Sequence, residues 1–307
     1  MRLVAHRLSG RAARGLSGRR VSAPASALSG AGRASHSRPQ SVRMPLHFDI
    51  VVVGGGLVGA SFALALRGTG LNVAVIEPDP PAAAADEATW DNRVYAISPG
   101  SADFLESCGI WPLLPQSRLC RVERMQISGD DGRSRLDFSA YDAGLRELAF
   151  IAENRLLQRA AWQRLGEAEH VRIFSPARCA SAAWCGDHAS LMLQDGTALA
   201  ARLLVGADGA GSWLRTQAGI AVKPRDYGQL GVVANFAAAK PHQGVAYQWF
   251  RRDGVLALLP LPGDQVSMVW STAEPHAHEL LALAPQDLGV AVNQASCGAL
   301  GDLRLLA

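Results

Sequence analysis

No Asp or Glu occurs before Asp49 in this 307-residue sequence. The nine Arg of residues 1–43 therefore stand unopposed, and the formal net charge of +3 hides a division. Of the 30 Lys and Arg, removing those nine leaves 21 against 27 Asp and Glu, a balance of −6 over residues 44–307. An acidic body gives no electrostatic reason for nucleic-acid binding. The basic leader lacks the 7–15-residue apolar stretch of a secretory signal. Its Arg- and Ser-rich, acid-free composition is that of a mitochondrial transit peptide, or else it is an over-extended start with Met44 as the first residue. Either way residues 1–43 are expected to be a disordered segment outside the fold. No C-x-x-C occurs among the five scattered cysteines, which excludes a disulfide framework and fits a reducing compartment. Cys179, Cys185 and His188 match no zinc spacing, so no metal site is expected. Residues 50–66 are uncharged, but Gly54-Gly55-Gly56 would make a poor interior for a membrane helix. No Ser-His-Asp signature or other covalent nucleophile stands out, and catalytic residues are left unassigned.

What is present is a nucleotide-binding pattern. Asp49-Ile50-Val51-Val52-Val53 is a β-branched run suited to a strand buried on both faces. It leads into Gly54-Gly55-Gly56-Leu57-Val58-Gly59, a complete G-x-G-x-x-G, followed by a helical stretch from Ala60 to Leu66 that Gly68 and Gly70 end. Leu71 to Ile76 is a second strand, closed by Glu77. In this pattern Gly54 permits the tight turn, Gly56 admits a pyrophosphate and Gly59 lets helix and strand pack. The helix N-terminus offers N–H groups and the positive end of its dipole to phosphates. Glu77 is placed to accept hydrogen bonds from ribose hydroxyls, and its charge disfavours a 2′-phosphate there.

A second motif narrows the ligand. Leu203 to Gly206 is a strand ending in Ala207-Asp208-Gly209, followed by Ala210-Gly211-Ser212-Trp213-Leu214-Arg215. This fills every fixed position of the G-A-D-G-x-x-S-x-x-R signature, and here the chain resembles the flavin aromatic hydroxylases of the para-hydroxybenzoate hydroxylase type. Asp91-Asn92-Arg93-Val94-Tyr95-Ala96-Ile97-Ser98 is similar to that family's D-x-R-x-x-A-[LI]-S segment. Glu153-Asn154-Arg155-Leu156-Leu157 is similar to its N-R-x-L helix start. Together with Leu258-Leu259-Pro260-Leu261-Pro262 and Val269-Trp270, these segments resemble the ubiquinone-biosynthesis branch, from about residue 46 to 307.

The resemblance implies an α/β fold with an α+β substrate region. A Rossmann-like FAD-binding domain with a parallel sheet (residues 44–117 and 151–222) interleaves with a mixed or antiparallel substrate-binding sheet (118–150 and 223–275). It implies FAD contacts at Gly54, Gly56, Gly59, Glu77, Arg93, Arg155, Asp208 and Gly209. It also implies NAD(P)H as co-substrate and insertion of one oxygen atom of O2 into the ring of a prenylated phenol. The setting would be the bacterial cytoplasm beside the inner membrane, or the mitochondrial matrix, in company with other ubiquinone-biosynthesis proteins. No second G-x-G-x-x-G follows a strand, which disfavours a disulfide-reductase-like flavoprotein. A prenyl-lipid reductase or epoxidase on the same fold, or a non-catalytic nucleotide-binding chain, stay as alternatives. The family's third signature, G-D-A-A-H followed by P-x-x-G-Q-G, has no counterpart here. Residues 276–307 are accordingly expected to be the helical start of a missing C-terminal FAD segment, and the 307 residues alone to hold FAD weakly without turnover. The leader has no apolar period with which to offset its ordering entropy. A chain beginning at Met44 is therefore expected to melt like the longer one, and a clear loss in thermal stability would show that the leader packs on the body.

Overall fold

The computed structural model describes residues 4–7, 44–82 and 89–306, and of residues 4–7 the backbone alone. The first element, β1 (Val4–Arg7), precedes the body. Strand β2 (Leu46–Val53) is buried from Ile50 onward, as its β-branched run predicts for a central strand. Helix α1 (Leu57–Ala65) buries Ala60, Ala63 and Leu64 in one core with Ile50 and Val52. Strand β3 (Val73–Ile76) lies parallel to β2. The alternate side chains Val51 and Val53 enter a second core on the other face of the sheet, with Ala74, Ile76 and Leu199.

Next come β4 (Val94–Ile97) and α2 (Pro99–Ser107), the latter capped by the Ser98 hydroxyl, which accepts from the Ser101 N–H. Then follow β5 (Cys120–Val122), β6 (Arg124–Gly129), β7 (Arg135–Ser139) and β8 (Ala149–Glu153). Helix α3 (Asn154–Gly166) buries Leu157, Ala160, Ala161 and Leu165, the three- and four-residue spacing of an amphipathic face. Strand β9 (Val171–Phe174) extends the sheet parallel to β3. A meander of β10 (Cys179–Cys185), β11 (His188–Leu193) and β12 (Ala198–Gly206) closes its other side, with β12 parallel to β2. The resulting order is β10-β11-β12-β2-β3-β9, a Rossmann-like sheet. Helix α4 (Trp213–Gln217) follows directly.

The remaining strands, β13 (Gln229–Ala238), β14 (Val245–Arg251), β15 (Gly254–Leu261) and β16 (Gln265–Ala273), build the second sheet. Helices α5 (Glu274–Ala282) and α6 (Pro285–Ala295) and strand β17 (Leu303–Leu305) end the described chain. The order is β1-β13-β16-β15-β14-β6-β7, with β17 also on β13. The sheet is mixed, because β14 and β6 run parallel while its other pairs are antiparallel. The expected α/β core interleaved with a mixed sheet is thus the observed architecture.

Three details depart from the sequence reading. First, β5 does not join the large sheet, the expected place of residues 118–150. With β4 and β8 it forms a small sheet of its own. Second, the described residues 276–306, expected to begin an FAD segment, pack on the large mixed sheet instead. Ala277, Leu280, Leu288 and Val292 share one buried core with Val232, Leu256 and Trp270. The helices' apolar faces cover one face of that sheet, and β17 adds hydrogen bonds to β13. Third, Val4–Arg7 pair antiparallel with Leu230–Val233 on the edge of β13, so four leader residues reach the fold. The rest of the leader, residues 1–3 and 8–43, lies outside the described residues.

Helix α6 meets β17 at Gly289, where an added Cβ would run into the carbonyl oxygen of Leu303. Gly289→Ala should therefore push β17 away from the helix and cost about 1–3 kcal/mol, as overpacking commonly does. Urea denaturation would show a lower midpoint, and an unchanged one would mean that this contact does not fix β17.

Candidate functional site

The site is assembled at the carboxyl ends of β2, β3 and β12. The Gly54 N–H donates to the Ile76 carbonyl at 2.8 Å, and the Ala207 N–H donates to the Val53 carbonyl at 2.7 Å. The second of these bonds draws the two sequence motifs together. Gly54 has φ +102, and a Cβ there would collide with the Ala207 carbonyl, so no other residue fits. A Cβ on Gly59 would strike the Gly54 carbonyl, which explains the close approach of α1 to the loop. Gly56 differs, because a Cβ there would meet nothing within 4 Å. It stands at the N-cap of α1 without a side-chain cap, leaving the first N–H groups of the helix facing open space. A cradle with uncapped amides and no wall is what a pyrophosphate needs.

Glu77 Oε2 accepts from the Gly55 N–H at 2.6 Å and Oε1 from the Asp79 N–H at 2.9 Å. The carboxylate is therefore fixed beside the loop with lone pairs to spare. Trp162 of α3 donates its indole N–H to the Gly55 carbonyl at 2.7 Å, closing the loop from the other side. A cavity of about 350 Å³ opens next to it, lined by Trp162, Arg159, Leu156 and Pro81.

Asp208 is committed elsewhere. Its carboxylate accepts from the Ser212 hydroxyl (2.6 Å) and from the Trp213 and Leu214 N–H groups (2.6 and 3.2 Å), and so caps α4. What the Asp208-Gly209 turn offers a ligand is backbone, because Gly209 is exposed and nothing lies within 4 Å of a Cβ there. Behind it, a cavity of about 340 Å³ is shared by Gly54, Asp208, Cys179 and Trp213. Burial, and then the Asp208 charge, push the Cys179 thiol up to about 11, so it stays protonated and is no nucleophile at neutral pH. A further concavity, about 1100 Å³ across the β10–β12 meander, holds none of the expected site residues.

Arg93 and Arg155 form a second group. Asp91 joins them: Oδ1 accepts from the Arg93 N–H (3.0 Å) and Oδ2 from the Arg155 N–H (3.0 Å), so Asp91 caps α3 from a distant loop. The Arg93 guanidinium is exposed, 5.5 Å from the centre of the Tyr95 ring, and makes no ion pair with a described residue. The Arg155 guanidinium is held by Glu153 Oε2 (3.1 Å) and the Thr89 carbonyl. From Arg155 to Trp162 is seven residues of α3, about 10 Å of helix. The two groups thus suit the two ends of an extended ligand.

Glu153, Asp91 and Arg118 are the residues that sequence reasoning missed. Glu153 and Asp91 stand inside quoted motifs, yet no role attached to them. Arg118 carried no signal, since an isolated arginine outside any motif reads as a surface charge.

Comparison with known proteins follows the same lines. A family model described as FAD binding domain matches residues 47–296. The chain is 36% identical over 236 residues to ubiquinone hydroxylase UbiL of Rhodospirillum rubrum, covering 76% of this chain and 54% of UbiL. It is 32% identical over 262 residues to the mitochondrial ubiquinone biosynthesis monooxygenase COQ6 of Drosophila melanogaster, covering 82% of this chain and 55% of COQ6. The chain thus spans about half the length of these curated relatives. In fold it is similar to PqsL of Pseudomonas aeruginosa in complex with 2-aminobenzoylacetate, with a TM-score of 0.67 and 21% identity over 85% of this chain and 73% of PqsL.

Because only open space lies above Gly56, Gly56→Val should leave thermal stability nearly unchanged while obstructing the phosphates. An affinity loss of tenfold or more, about 1.4 kcal/mol per decade, is expected in a dinucleotide titration. Unchanged affinity would take the α1 N-terminus out of the site.

Proposed function

Because this chain belongs to the FAD binding domain family, we propose that it is the cofactor-binding part of a monooxygenase that hydroxylates a prenylated phenol in ubiquinone biosynthesis. The observation that carries the cofactor half is the junction of Gly54 with Ala207, which makes one cradle of two motifs far apart in sequence. The relatives carry the other half. UbiL and COQ6 are named for ubiquinone chemistry, and the likeness to them covers three quarters or more of this chain.

In this reading the amides at the start of α1 receive the pyrophosphate, and Gly56 lets it approach. Glu77, already oriented by the Gly55 N–H, accepts from the adenosine ribose. Arg93 and Arg155 face the flavin half, with the Asp208-Gly209 turn beside it. When bound, FAD would supply electron transfer from NAD(P)H and the activation of O2. The protein's share is to hold the ring against the phenol and to keep water out. The surface for the phenol is the face of the large sheet turned away from α5 and α6. Asn235 stands on that face, and its amide reaches Asn92 Oδ1 at 3.0 Å and the Asp91 carbonyl at 3.4 Å. That face therefore looks toward the loop that carries Arg93. No helix among the described residues is long and apolar enough to cross a membrane. The place of action is the bacterial cytoplasmic side of the inner membrane, with the mitochondrial matrix as the alternative.

The test uses the protein purified from its own cells. Its released cofactor should be FAD, and it should oxidise NAD(P)H in the presence of a prenylated phenol to give a product one oxygen atom heavier. A colourless protein that binds NAD would sink the cofactor assignment. A product heavier by two hydrogens would replace hydroxylation by reduction.

A further inference from the structure

Two arginines from distant parts of the chain share the same two anchors. Glu153, at the end of β8, is 1% exposed at its side chain. Its Oε1 accepts from Arg118, at 2.8 Å from Nε and 2.7 Å from Nη2. Its Oε2 accepts from Arg155 Nε at 3.1 Å and from the Asp91 N–H at 2.7 Å. The Thr89 carbonyl is the second anchor, accepting from Arg118 Nη2 at 2.9 Å and from Arg155 Nη2. The Trp90 ring covers the Arg118 guanidinium, 3.8 Å from the ring centre.

We infer that Arg118 is a positioning residue, which sets the pose of Arg155 toward the flavin end of the cofactor without touching the cofactor itself. The inference rests on the proposed reading that Arg155 faces that end. A buried carboxylate must be neutralised and fully hydrogen-bonded. Arg118 does this for Oε1, which leaves Oε2 to hold Arg155 and the Asp91 backbone. It also fixes the Thr89 carbonyl on which the tip of Arg155 rests. Two like charges this close would repel, and the Glu153 carboxylate between them is what makes the arrangement stable. Without Arg118, Oε1 would be orphaned, Glu153 would turn toward water, and Arg155 would lose both anchors together. The planar fork is essential, because a lysine ammonium cannot span the carboxylate and the carbonyl in the same way. Asp91 caps α3 and Asn235 holds the same loop from the large sheet, so the loop has independent ties. The main effect of losing Arg118 is therefore on the pose of Arg155 and of the loop tip that it rests on.

The test measures binding of FAD and of ADP, by fluorescence and by calorimetry, to the full chain and to Arg118→Ala, Arg155→Ala and the double variant. ADP reports the adenosine half alone, the Gly54–Gly59 loop and Glu77. The expected result is an FAD dissociation constant about tenfold higher in each single variant, no further rise in the double variant, and unchanged ADP binding in all three. If Arg118→Ala weakens FAD and ADP equally, its role is general structure and the inference falls. If Arg118→Ala binds FAD like the parent while Arg155→Ala does not, the inference falls and the reading of Arg155 stands. If Arg155→Ala itself binds FAD normally, that reading falls first. Should Arg118→Ala fail to fold, Arg118→Lys decides. It keeps the charge but not the fork, so it should melt like the parent yet bind FAD several-fold more weakly, and parental FAD affinity in it overturns the inference.

Discussion

A side chain at position 54 would occupy the place of the Ala207 carbonyl, and the rest of the site follows from that exclusion. It holds the turn after β2 against the turn after β12, although the two are some 150 residues apart in sequence. Parallel neighbours at the centre of a sheet bring their carboxyl ends to one edge, and ligands of such folds bind there. With Gly54 in contact with Ala207, α1 starts at that edge with its amides uncapped, Glu77 arrives one strand over, and α3 closes the far side through Trp162. No charged side chain is needed to build the cradle itself. Its donors are backbone groups fixed by the sheet, so they are in place before any ligand arrives.

The flavin-side group is built on the opposite plan. Arg155 is a long side chain on the first turn of a helix, and its direction is set by Glu153, Thr89 and Arg118. Such a network is strong only while every member is present. The glycine cradle should therefore tolerate change outside the glycines, whereas the arginine group is sensitive to every residue in its network. The Asp208 carboxylate illustrates the difference between motif and contact. It is part of a signature for flavin binding, yet it spends its acceptors on the N-terminus of α4. Its service to a ligand is to fix the turn.

This division also explains what could be read from the sequence. The glycine loop, its flanking strands and Glu77 are local in the chain, and each glycine answers to a backbone requirement that leaves a fixed spacing. The expectation of a parallel sheet joined to a mixed one was legible for the same reason. What was not legible depends on distant pairs. Arg118 meets Glu153 across 35 positions, and Asp91 caps α3 across 64, and neither pairing has a local pattern. The placement of α5 and α6 was misread because an amphipathic helix shows that it has an apolar face but not which sheet will cover it. Pairing of Val4–Arg7 with β13 was hidden in the same way, since strand addition at an edge uses backbone groups and asks little of composition.

The loop 89–93 lies where these plans meet. Glu153 holds it from the small sheet and Arg118 from the turn before β5, Asp91 holds it to α3, and Asn235 holds it to the large sheet. Asn235 is fully buried, and Ser267, directly opposite it on β16, is buried as well. Polar side chains in the middle of an otherwise apolar sheet face are costly unless they bond. The Asn235 Nδ2 donates to the loop, which offsets part of that cost, while its Oδ1 and the Ser267 hydroxyl stay without a partner among the described residues. A displacement of the sheet relative to the loop must strain or break the bond from Asn235 to Asn92. The Asp91 carbonyl lies on the same line of contacts, and Asp91 orients the backbone of Arg155. The large sheet and the backbone of Arg155 are in this way joined through one short loop.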